Sequence, residues 1–180
     1  MRRINSRENP HYKALKRLSE SGRERRKSGR VLLDGMHLIE AYGRHCGAPE
    51  EILLSDSGAG RPEIAGYLAG LPAGSSVTLL PDALFADLAL VDTPSGIMAV
   101  APWPMPARPI DHAADSVVLD GIQDPGNVGS ILRSAAAAGF RQILLSVDCA
   151  QVWSPKTLRA AMGAHFQLDI HEGCDLPGFL

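Results

Sequence analysis

Apolar and polar residues alternate along the chain in a pattern that predicts short buried strands separated by helices. In residues 31–101, four apolar runs are typical of strands and the segments between them have helical spacing, so this part is predicted to be a small α/β domain. The predicted strands are VLLD, EILLS, SVTLL and GIMAVA, and the predicted helices lie around residues 36–46, 62–69 and 83–88.

A second pattern begins at Val117, where a continuous apolar run leads into a turn rich in glycine, proline and asparagine. Residues 120–129 hold too many turn residues to continue the strand, and residues 130–138 then favour a helix. Gly139 lies where a left-handed cap is needed, and residues 142–147 resume strand character. This order predicts a βαβ unit, in which ligands collect at the carboxyl ends of the strands.

The turn of this unit contains residues suited to ligand binding. Gly126 and Gly129 let the backbone approach a ligand closely, and Asn127 adds an amide that donates and accepts hydrogen bonds. Arg133 brings a fixed charge and is predicted in the first turn of the helix. The spacing matches neither a Walker A loop nor the dinucleotide-binding G-x-G-x-x-G pattern. A tight connection capped by Asp124 or Asn127, with a solvated arginine, explains the same residues, so phosphate or nucleotide binding is one of two interpretations.

The segment DPGNVGSILRSAAAAGF closely resembles the first signature motif of the SpoU/TrmH class of RNA ribose 2'-O-methyltransferases. Asn127 and Arg133 stand at the motif's Asn and Arg positions. The segments SPKTLRAAMGAHFQLDI and TPSGIMAV are similar to later and earlier parts of the same family, and VLLDGMHLIEA is similar to its accessory substrate-binding domain. Asp34 replaces a more usual Glu, and Ala161 replaces a common Ser.

The resemblance implies both a substrate and a set of roles. It implies that residues 31–101 help to hold RNA and that residues 115–180 carry the chemistry once the domain is complete. Arg133 is the leading catalytic candidate, with Asn127 positioning the loop or a neighbouring nucleotide. Because a guanidinium holds its proton strongly, we expect Arg133 to bind phosphate and steady a developing alkoxide rather than act as an ordinary base. The resemblance also implies S-adenosylmethionine as the cofactor of the full-length protein and a possible homodimer.

The second domain is expected to be incomplete. The family builds its cofactor pocket from two further motifs near the carboxyl end, within a trefoil knot, and neither motif is found in this sequence. The pattern itself gives half of a doubly wound sheet, with strands near Val117, Ile143 and Phe166 and helices near Ile131 and Lys156. A domain of about 65 residues buries its apolar surface poorly. We therefore expect a Rossmann-like parallel sheet of α/β-knot type without its knot segment, truncated or completed by a partner, with no cofactor bound and no activity by itself.

Charge is distributed unevenly along the chain. Residues 1–30 contain eleven lysine and arginine residues against three acidic ones, whereas the whole chain has a net charge of −2. Such a cluster of cations binds phosphates with release of counterions, so we predict salt-sensitive RNA binding. A solvated helix at residues 10–21 followed by a flexible charged turn is the alternative. The predicted RNA-binding residues are Arg2, Arg3, Arg7, Lys13, Lys16, Arg17, Arg23, Arg25, Arg26, Lys27, Lys156 and Arg159.

The changes in charge and in proline and glycine content along the chain predict four segments. These are a basic segment at 1–30, the α/β domain at 31–101, a proline-rich linker at 102–114 and the partial methyltransferase domain at 115–180. The 180 residues include 45% hydrophobic ones without a run approaching the ~20 residues of a membrane span, and the N-terminus has no secretory signal. A cytoplasmic protein is predicted. Cys46, Cys149 and Cys174 are interpreted as reduced, mostly buried thiols without metal-ligand spacing.

Two other functional hypotheses remain open at the level of sequence. One is a non-catalytic RNA-binding module, and the other is an unrelated α/β enzyme that uses residues 126–133 to bind a phosphorylated small molecule. The sequence does not distinguish ribosomal from transfer RNA, because RNA specificity comes from shape and splayed bases. His165 is interpreted as a packed side chain rather than a functional one.

Overall fold

The computed structural model describes residues 1–89 and 93–179. The chain divides into two compact units, residues 1–103 and 104–180. Each unit combines helices with a sheet, which confirms the predicted α/β class.

Strands and helices of the first unit alternate along the chain, as the apolar pattern predicts. Its elements are β1 (Arg2–Arg3), α1 (Pro10–Glu20), α2 (Gly22–Ser28), β2 (Arg30–Asp34), α3 (Met36–Cys46), β3 (Glu51–Ser55), α4 (Asp56–Ala59), α5 (Pro62–Ala69), β4 (Val77–Leu80), α6 (Asp82–Ala89) and β5 (Ile97–Pro102). Every strand and helix expected between residues 31 and 101 is therefore present, within a residue or two at each end.

The described strands of the first unit form one mixed sheet in the order β1-β4-β3-β5-β2. Strand β4 is parallel to β1 and β3, whereas β5 is antiparallel to β3 and β2. Every residue of β3 is buried, as expected for a central strand covered on both faces. Tyr12, Leu15 and Phe85 share a single core cluster, so α1 and α6 cover the same face, while Ile39 and Ile64 are buried outside that cluster.

The first thirty residues belong to the first unit rather than forming a separate basic segment. Strand β1 adds to the sheet edge, and α1 buries one face in the core. The flexible charged turn expected as an alternative is wrong, because residues 22–28 form α2. The Ser21 side chain caps that helix by accepting from the Glu24 amide, and Gly29 ends it with φ +62°.

Segment 93–100 is held by a close approach between two glycines. A Cβ at Gly58 would lie 2.1 Å from the Gly96 carbonyl oxygen, and Gly96 itself has φ +85°. The neighbouring Ser95 hydroxyl donates to a carboxylate oxygen of Asp34 at 3.0 Å. These contacts give a packing reason for the TPSG sequence and for an acidic residue at position 34.

The second unit is built around a parallel sheet, as predicted. Strands β6 (Ser116–Leu119), β7 (Gln142–Leu145) and β8 (Asp169–Glu172) lie side by side in chain order within the described residues. The helical elements are α7 (Pro125–Ala137), α8 (Pro155–Ala161), a 3-10 turn (Ala164–Gln167) and α9 (Leu176–Phe179). Gly139, with φ +87°, ends α7. The backbone amides of Gly139 and Phe140 donate hydrogen bonds to the carbonyl oxygens of Ala136 and Ala135, which confirms the predicted cap.

One strand of the second unit was placed wrongly by the sequence pattern. Phe166 lies in the 3-10 turn rather than in a strand, and β8 begins at Asp169. Met162 and Gly163 both have positive φ and redirect the chain before Phe166. A short apolar run such as FQL looks the same in a buried turn and in a strand, so periodicity does not distinguish them.

Residues 104–114 of the predicted proline-rich linker are part of the second unit and are hydrogen-bonded to its strands. The Asp111 amide donates to the Gln142 side chain, which in turn donates to the Asp111 carbonyl oxygen. The Ala107 amide donates to the Asp169 carboxylate at 2.8 Å. Both contacts tie this proline-rich stretch to the strands of the unit.

Candidate functional site

The site predicted at the β6–α7 connection is built on a helix that starts earlier than expected. Asp124 caps α7 by accepting from the Asn127 amide at 2.8 Å, and Pro125 occupies the first helical position. Both features strongly favour a helix start. The helix therefore begins five residues before Ser130, and the connecting turn is reduced to residues 120–124.

Gly126 and Gly129 consequently lie inside α7 and not in a loop, which corrects the sequence prediction. A Cβ at Gly129 would lie 2.5 Å from the Ala160 Cβ and 2.7 Å from the Thr157 carbonyl oxygen, both on α8. Gly129 is buried, so its lack of a side chain serves close packing of the two helices. A Cβ at Gly126 would meet the Asp124 carboxylate at 2.9 Å.

Asp124 links the two helices as well as capping one of them. One carboxylate oxygen accepts from the Asn127 amide, and the other lies 3.6 Å from the Lys156 ammonium on α8. The hydrogen bond from the Asn127 amide, helped by the charge of Lys156, lowers the pKa of Asp124 below its ordinary value. Lys156 is mostly exposed, so the start of α7 carries an accessible cation contributed by α8.

Arg133 lies eight residues after Pro125, in the third turn of α7 rather than in the first. Its side chain is exposed, and within the described part of the chain it has no hydrogen-bond or ion-pair partner. Asn127 is exposed too, and Ser130 lies three residues from each of them, with its hydroxyl donating to the Asn127 carbonyl oxygen. Six residues of helix span about 9 Å, so one exposed helix surface presents an amide, a hydroxyl and a guanidinium in series.

The remaining residues of the second motif are more enclosed. Arg159 is partly buried, with one guanidinium nitrogen shielded from solvent, so Lys156 is the more accessible of the two predicted phosphate ligands on α8. His165 is 1% exposed and its Nε2 lies 2.9 Å from the Val152 carbonyl oxygen. Burial lowers the pKa of His165 to about 4. His165 is therefore a packed, neutral side chain, as the sequence interpretation holds.

Several N-terminal cations predicted to bind RNA are engaged within the fold. Arg25 is 3% exposed and donates to the carbonyl oxygens of Leu18 and Ser19, so its predicted contact with phosphate is wrong for this structure. The other engaged cations and their partners are Arg2 with Glu51, Arg3 with Asp56, Lys13 with Glu8, Lys16 with Asp87 and Glu20, and Arg17 with Glu24. The side chains of Arg7, Arg23, Arg26 and Lys27 are exposed.

Other kinds of site find less support among residues 1–89 and 93–179. No group of three histidine, cysteine or acidic residues in these ranges is placed to hold a metal ion. Cys46 is exposed, contrary to the expectation of mostly buried thiols, whereas Cys149 and Cys174 are partly buried. No helix in the described ranges combines the length and apolar character that a membrane span requires.

Two family models match the chain, one for each unit. The SpoU rRNA Methylase family matches residues 115–180, and the MRM3-like substrate binding domain matches residues 9–99. The chain belongs to the SpoU rRNA methylase family. This confirms the family that the motif around Asn127 and Arg133 indicates.

Relatives of this SpoU-family chain include rRNA methyltransferases from a mammal and from a bacterium. The mitochondrial rRNA methyltransferase 3 of Mus musculus is 37% identical over 161 residues, which cover 81% of this chain and 36% of the relative. The 23S rRNA (guanosine(2553)-2'-O)-methyltransferase RlmP of Bacillus subtilis (strain 168) is 32% identical over 170 residues, which cover 94% of this chain and 64% of the relative. The chain thus spans between about a third and two thirds of these relatives.

A crystal structure of an AdoMet bound rRNA methyltransferase from Sinorhizobium meliloti has the same fold. It superposes with a TM-score of 0.78 at 24% identity, covering 94% of this chain and 64% of that chain. AdoMet is S-adenosylmethionine. At this identity the likeness concerns the fold, including the parallel sheet that carries α7.

Part of the site was not visible in local sequence patterns. The motif indicates Asn127 and Arg133, and the sequence names Asp124 only as a possible helix cap. The pairing of Asp124 with Lys156 joins residues 32 positions apart and has no local signal. Ser130 was also missed as part of the exposed surface. With α7 beginning at Pro125, Ser130 is three residues from both Asn127 and Arg133, and this helical spacing indicates that the three side chains share one surface.

Proposed function

We propose that this chain is the RNA-holding and catalytic-helix portion of an enzyme that transfers a methyl group from S-adenosylmethionine to a ribose 2'-hydroxyl in ribosomal RNA. The proposal is supported by the match of each unit to a domain of rRNA methylases and by the named activities of the relatives. The observation that carries it to particular residues is the exposed surface of α7. Asn127 and Arg133 are exposed there, and Lys156 lies 3.6 Å from the Asp124 carboxylate at the start of the helix.

The chemistry requires a positive group near the reacting oxygen. A ribose hydroxyl is a weak nucleophile, and negative charge develops on its oxygen as the proton leaves and the methyl group arrives. The Arg133 guanidinium offers several donors in a planar fork, which suits a phosphate oxygen and a developing alkoxide together. We assign Arg133 to this stabilisation and Asn127 to positioning the neighbouring nucleotide.

Lys156 and Asp124 complete the arrangement on the protein side. The Asp124 carboxylate fixes the first turn of α7 and keeps a cation from α8 close to it. An exposed ammonium at this point favours the RNA backbone electrostatically without reading its sequence. The roles of Lys156 and Arg159 as phosphate ligands stay predictions.

S-adenosylmethionine supplies the methyl group in the proposed reaction, and we expect it in the full-length protein. A cofactor of this size is usually bound in an enclosed pocket. Asp120, Gly121 and Val147, which follow the carboxyl ends of β6 and β7, are exposed, so these residues by themselves do not fit an enclosed site. We assign none of the cofactor's contacts to them.

Other properties stay predictions for this chain. The named relatives act on ribosomal RNA, which favours rRNA over tRNA as the substrate. A cytoplasmic location and the inactivity of this chain by itself stay predictions, as do a homodimer and a knot in the full-length protein. Neither a non-catalytic RNA-binding module nor a phosphate-ligand enzyme is favoured by the comparisons.

The test is a methyl-transfer assay on ribosomal RNA with tritiated S-adenosylmethionine, using this chain and the product of the complete reading frame. Label in alkali-resistant dinucleotides is the expected result for the complete product, because a 2'-O-methyl group blocks alkaline cleavage at that ribose. Label in alkali-sensitive mononucleotides would indicate base methylation and overturn the assignment of the reaction. Absence of transfer by the complete product to any ribosomal RNA would overturn the function.

A further inference from the structure

A cavity of about 430 Å³ opens in the first unit, within the sequence matched by the substrate-binding model. Helices α1 and α2 and strands β3 and β5 contribute residues to its walls. The volume lies in the range of about 300–1,000 Å³ that is typical of small-ligand sites. Neither the signature motifs nor the chemistry proposed for α7 involves this cavity.

The cavity combines an apolar wall with a polar cluster. Leu15, Leu18 and Val100 line it and are each at most 6% exposed, so they present the surface of the core to the cavity. The polar part contains the Glu51 carboxylate, which is 8% exposed and lies 2.9 Å from His11 Nε2. The Arg2 guanidinium also donates to this carboxylate at 2.6 Å, so the nearly buried carboxylate has hydrogen-bonding partners on two sides.

The charges around the cavity are paired with one another. Arg30 lies 2.6 Å from the Glu50 carboxylate, and Arg17 lies 3.8 Å from the Glu24 carboxylate. A lining in which each arginine has an acidic neighbour gives no strong preference for a fully charged ligand. It suits an uncharged, flat group with hydrogen-bonding edges, because apolar side chains, an imidazole and guanidinium planes all stack on such a group.

Unpaired cations lie beside the cavity on the same helix. Helix α2 contributes Glu24 and Ser28 to the lining, whereas Arg23 and Lys27 of α2 are exposed and have no bonding partner among the described residues. A nucleotide has this division of properties, since its base is uncharged and its phosphate is anionic. The wall accommodates the base, and the exposed cations suit the backbone that carries it.

We propose that this cavity binds one splayed base of a single-stranded segment of the RNA substrate. The proposal rests on the proposed function, because it names the part of the RNA that the first unit holds. A free mononucleotide shares the same chemistry, and the experiment separates the two sources. Base-stacking sites of this kind are tolerant of sequence, so the cavity is expected to add affinity more than specificity.

The experiment titrates the ¹⁵N-labelled chain with each nucleoside 5'-monophosphate and with a short single-stranded RNA of mixed sequence. Saturable amide shifts at His11, Leu15, Ser28 and Ser76 are expected with the RNA. Ala14, which is exposed on α1 and lines the cavity, is replaced by phenylalanine to fill it. Filling the cavity is expected to weaken binding of the RNA about tenfold.

The matched control is Ala65→Phe, which adds the same ring at an exposed position of α5 that does not line the cavity. It is expected to leave RNA affinity unchanged. Ser76→Phe fills the cavity from the residue that precedes β4 and serves as a second variant if Ala14→Phe impairs folding. Thermal unfolding of each variant identifies any that do not fold.

The outcomes separate this inference from the function on which it rests. If the RNA binds but shifts amides elsewhere and ignores both filling variants, the cavity is not a base site and the proposed function stands. If monophosphates saturate the cavity while the RNA leaves it unshifted, the cavity is a free-nucleotide site and the inference is overturned. If the unmodified chain binds no RNA at low salt, both this inference and the RNA-holding role fall together.

Discussion

Basic residues in the two units differ in their hydrogen-bond and ion-pair partners. In the first unit, Arg2, Lys16 and Arg25 are bound by carboxylates or carbonyl oxygens that belong to the fold. In the second unit, Arg133 stands unpartnered among the described residues, and Lys156 is mostly exposed with a loose contact to Asp124. The second unit has fewer cations, but Arg133 and Lys156 lie on two helices that pack closely at Gly129.

This difference shows that a count of cations along a sequence overstates the charge available to RNA. Exposed ion pairs are weak, so Arg3 and Lys13 are still able to exchange their partners for phosphate. A buried guanidinium such as that of Arg25 is not able to do so without losing two hydrogen bonds. The following predictions test whether the buried Arg25 of the first unit serves folding, whereas the exposed Arg23 of that unit and Arg133 of the second unit act on RNA.

The largest effect is expected at Arg133. Arg133→Ala in the complete protein should lower the rate of methyl transfer about 10²–10³-fold, because a donor to developing negative charge is lost. Arg133→Lys should recover only part of the rate, since an ammonium lacks the planar fork. Single-turnover assays at saturating RNA measure this, with Arg141→Ala as an exposed control. An unchanged rate with weaker RNA binding would make Arg133 a binding residue only.

Acid is expected to weaken the second unit before the first. His165 has a folded pKa of about 4, below its ordinary 6.5, so its contribution to stability is complete above pH 6.5 and is lost as pH falls through 4. The loss is at most about 3–4 kcal/mol. In the first unit, hydrogen bonds from Tyr12 and Lys16 lower the pKa of Asp87 from its ordinary 3.8. The stability that Asp87 contributes is therefore lost at a lower pH than the stability contributed by His165.

Urea unfolding between pH 7 and pH 4 measures this difference. The buried Trp153 reports on the second unit once Trp103 is replaced by phenylalanine. His165→Gln should flatten the pH dependence of the Trp153 transition in this range. Burial lowers the pKa of His171 as well, so His171→Gln is the matched comparison. An unchanged slope in His165→Gln would show that this histidine is not responsible.

Gly129→Ala is expected to destabilise the second unit by about 2 kcal/mol. The added methyl group meets α8 backbone atoms at 2.7 and 2.9 Å, and the cost of overpacking exceeds the gain in helix propensity. Ser134→Ala, an exposed position on the same helix, should change stability little. The Trp153 transition measures both variants, and a stabilised Gly129→Ala would mean that α7 and α8 separate easily.

Arg25 and Arg23 give the most direct test of the comparison in the first unit. Arg25→Ala should cost about 1–2 kcal/mol of stability, because the carbonyl oxygens of Leu18 and Ser19 lose their donor. Arg23→Ala should cost almost none but should reduce the slope of log K for RNA against log salt by about 0.7. Unfolding curves and filter binding at several salt concentrations measure the two effects. Equal salt slopes for both variants would show that Arg23 and Arg25 do not differ in their contact with RNA.

The smallest effect is expected at Met162, which adopts φ +53° at the end of α8. Met162→Gly should stabilise the second unit by about 0.5–1 kcal/mol, because glycine has no side-chain penalty in the left-handed region. Met162→Ala, which keeps a Cβ, should not give this gain. Both are measured by the Trp153 transition, and destabilisation by glycine would indicate that contacts of the methionine side chain dominate.

Local sequence signals were sufficient for most elements of the fold. Apolar runs, helical spacing and glycine positions predict the strands and helices between residues 31 and 101, the helix near Lys156 and the cap at Gly139. These signals work because they act over a few residues, within one turn or one strand. The start of α7 at Pro125 was not predicted, because Gly126 and Gly129 are typical of a turn and outweighed the capping signal of Asp124 and Pro125.

The sequence by itself therefore determined the α/β class, the family and the motif that contains Asn127 and Arg133. The tertiary structure decided which cations are available and why Gly129 is a glycine. It also placed Lys156 beside Asp124 and opened the cavity between α1, α2 and the sheet. These properties depend on contacts between residues far apart in the chain, and burial is set by such contacts rather than by the residues at each position.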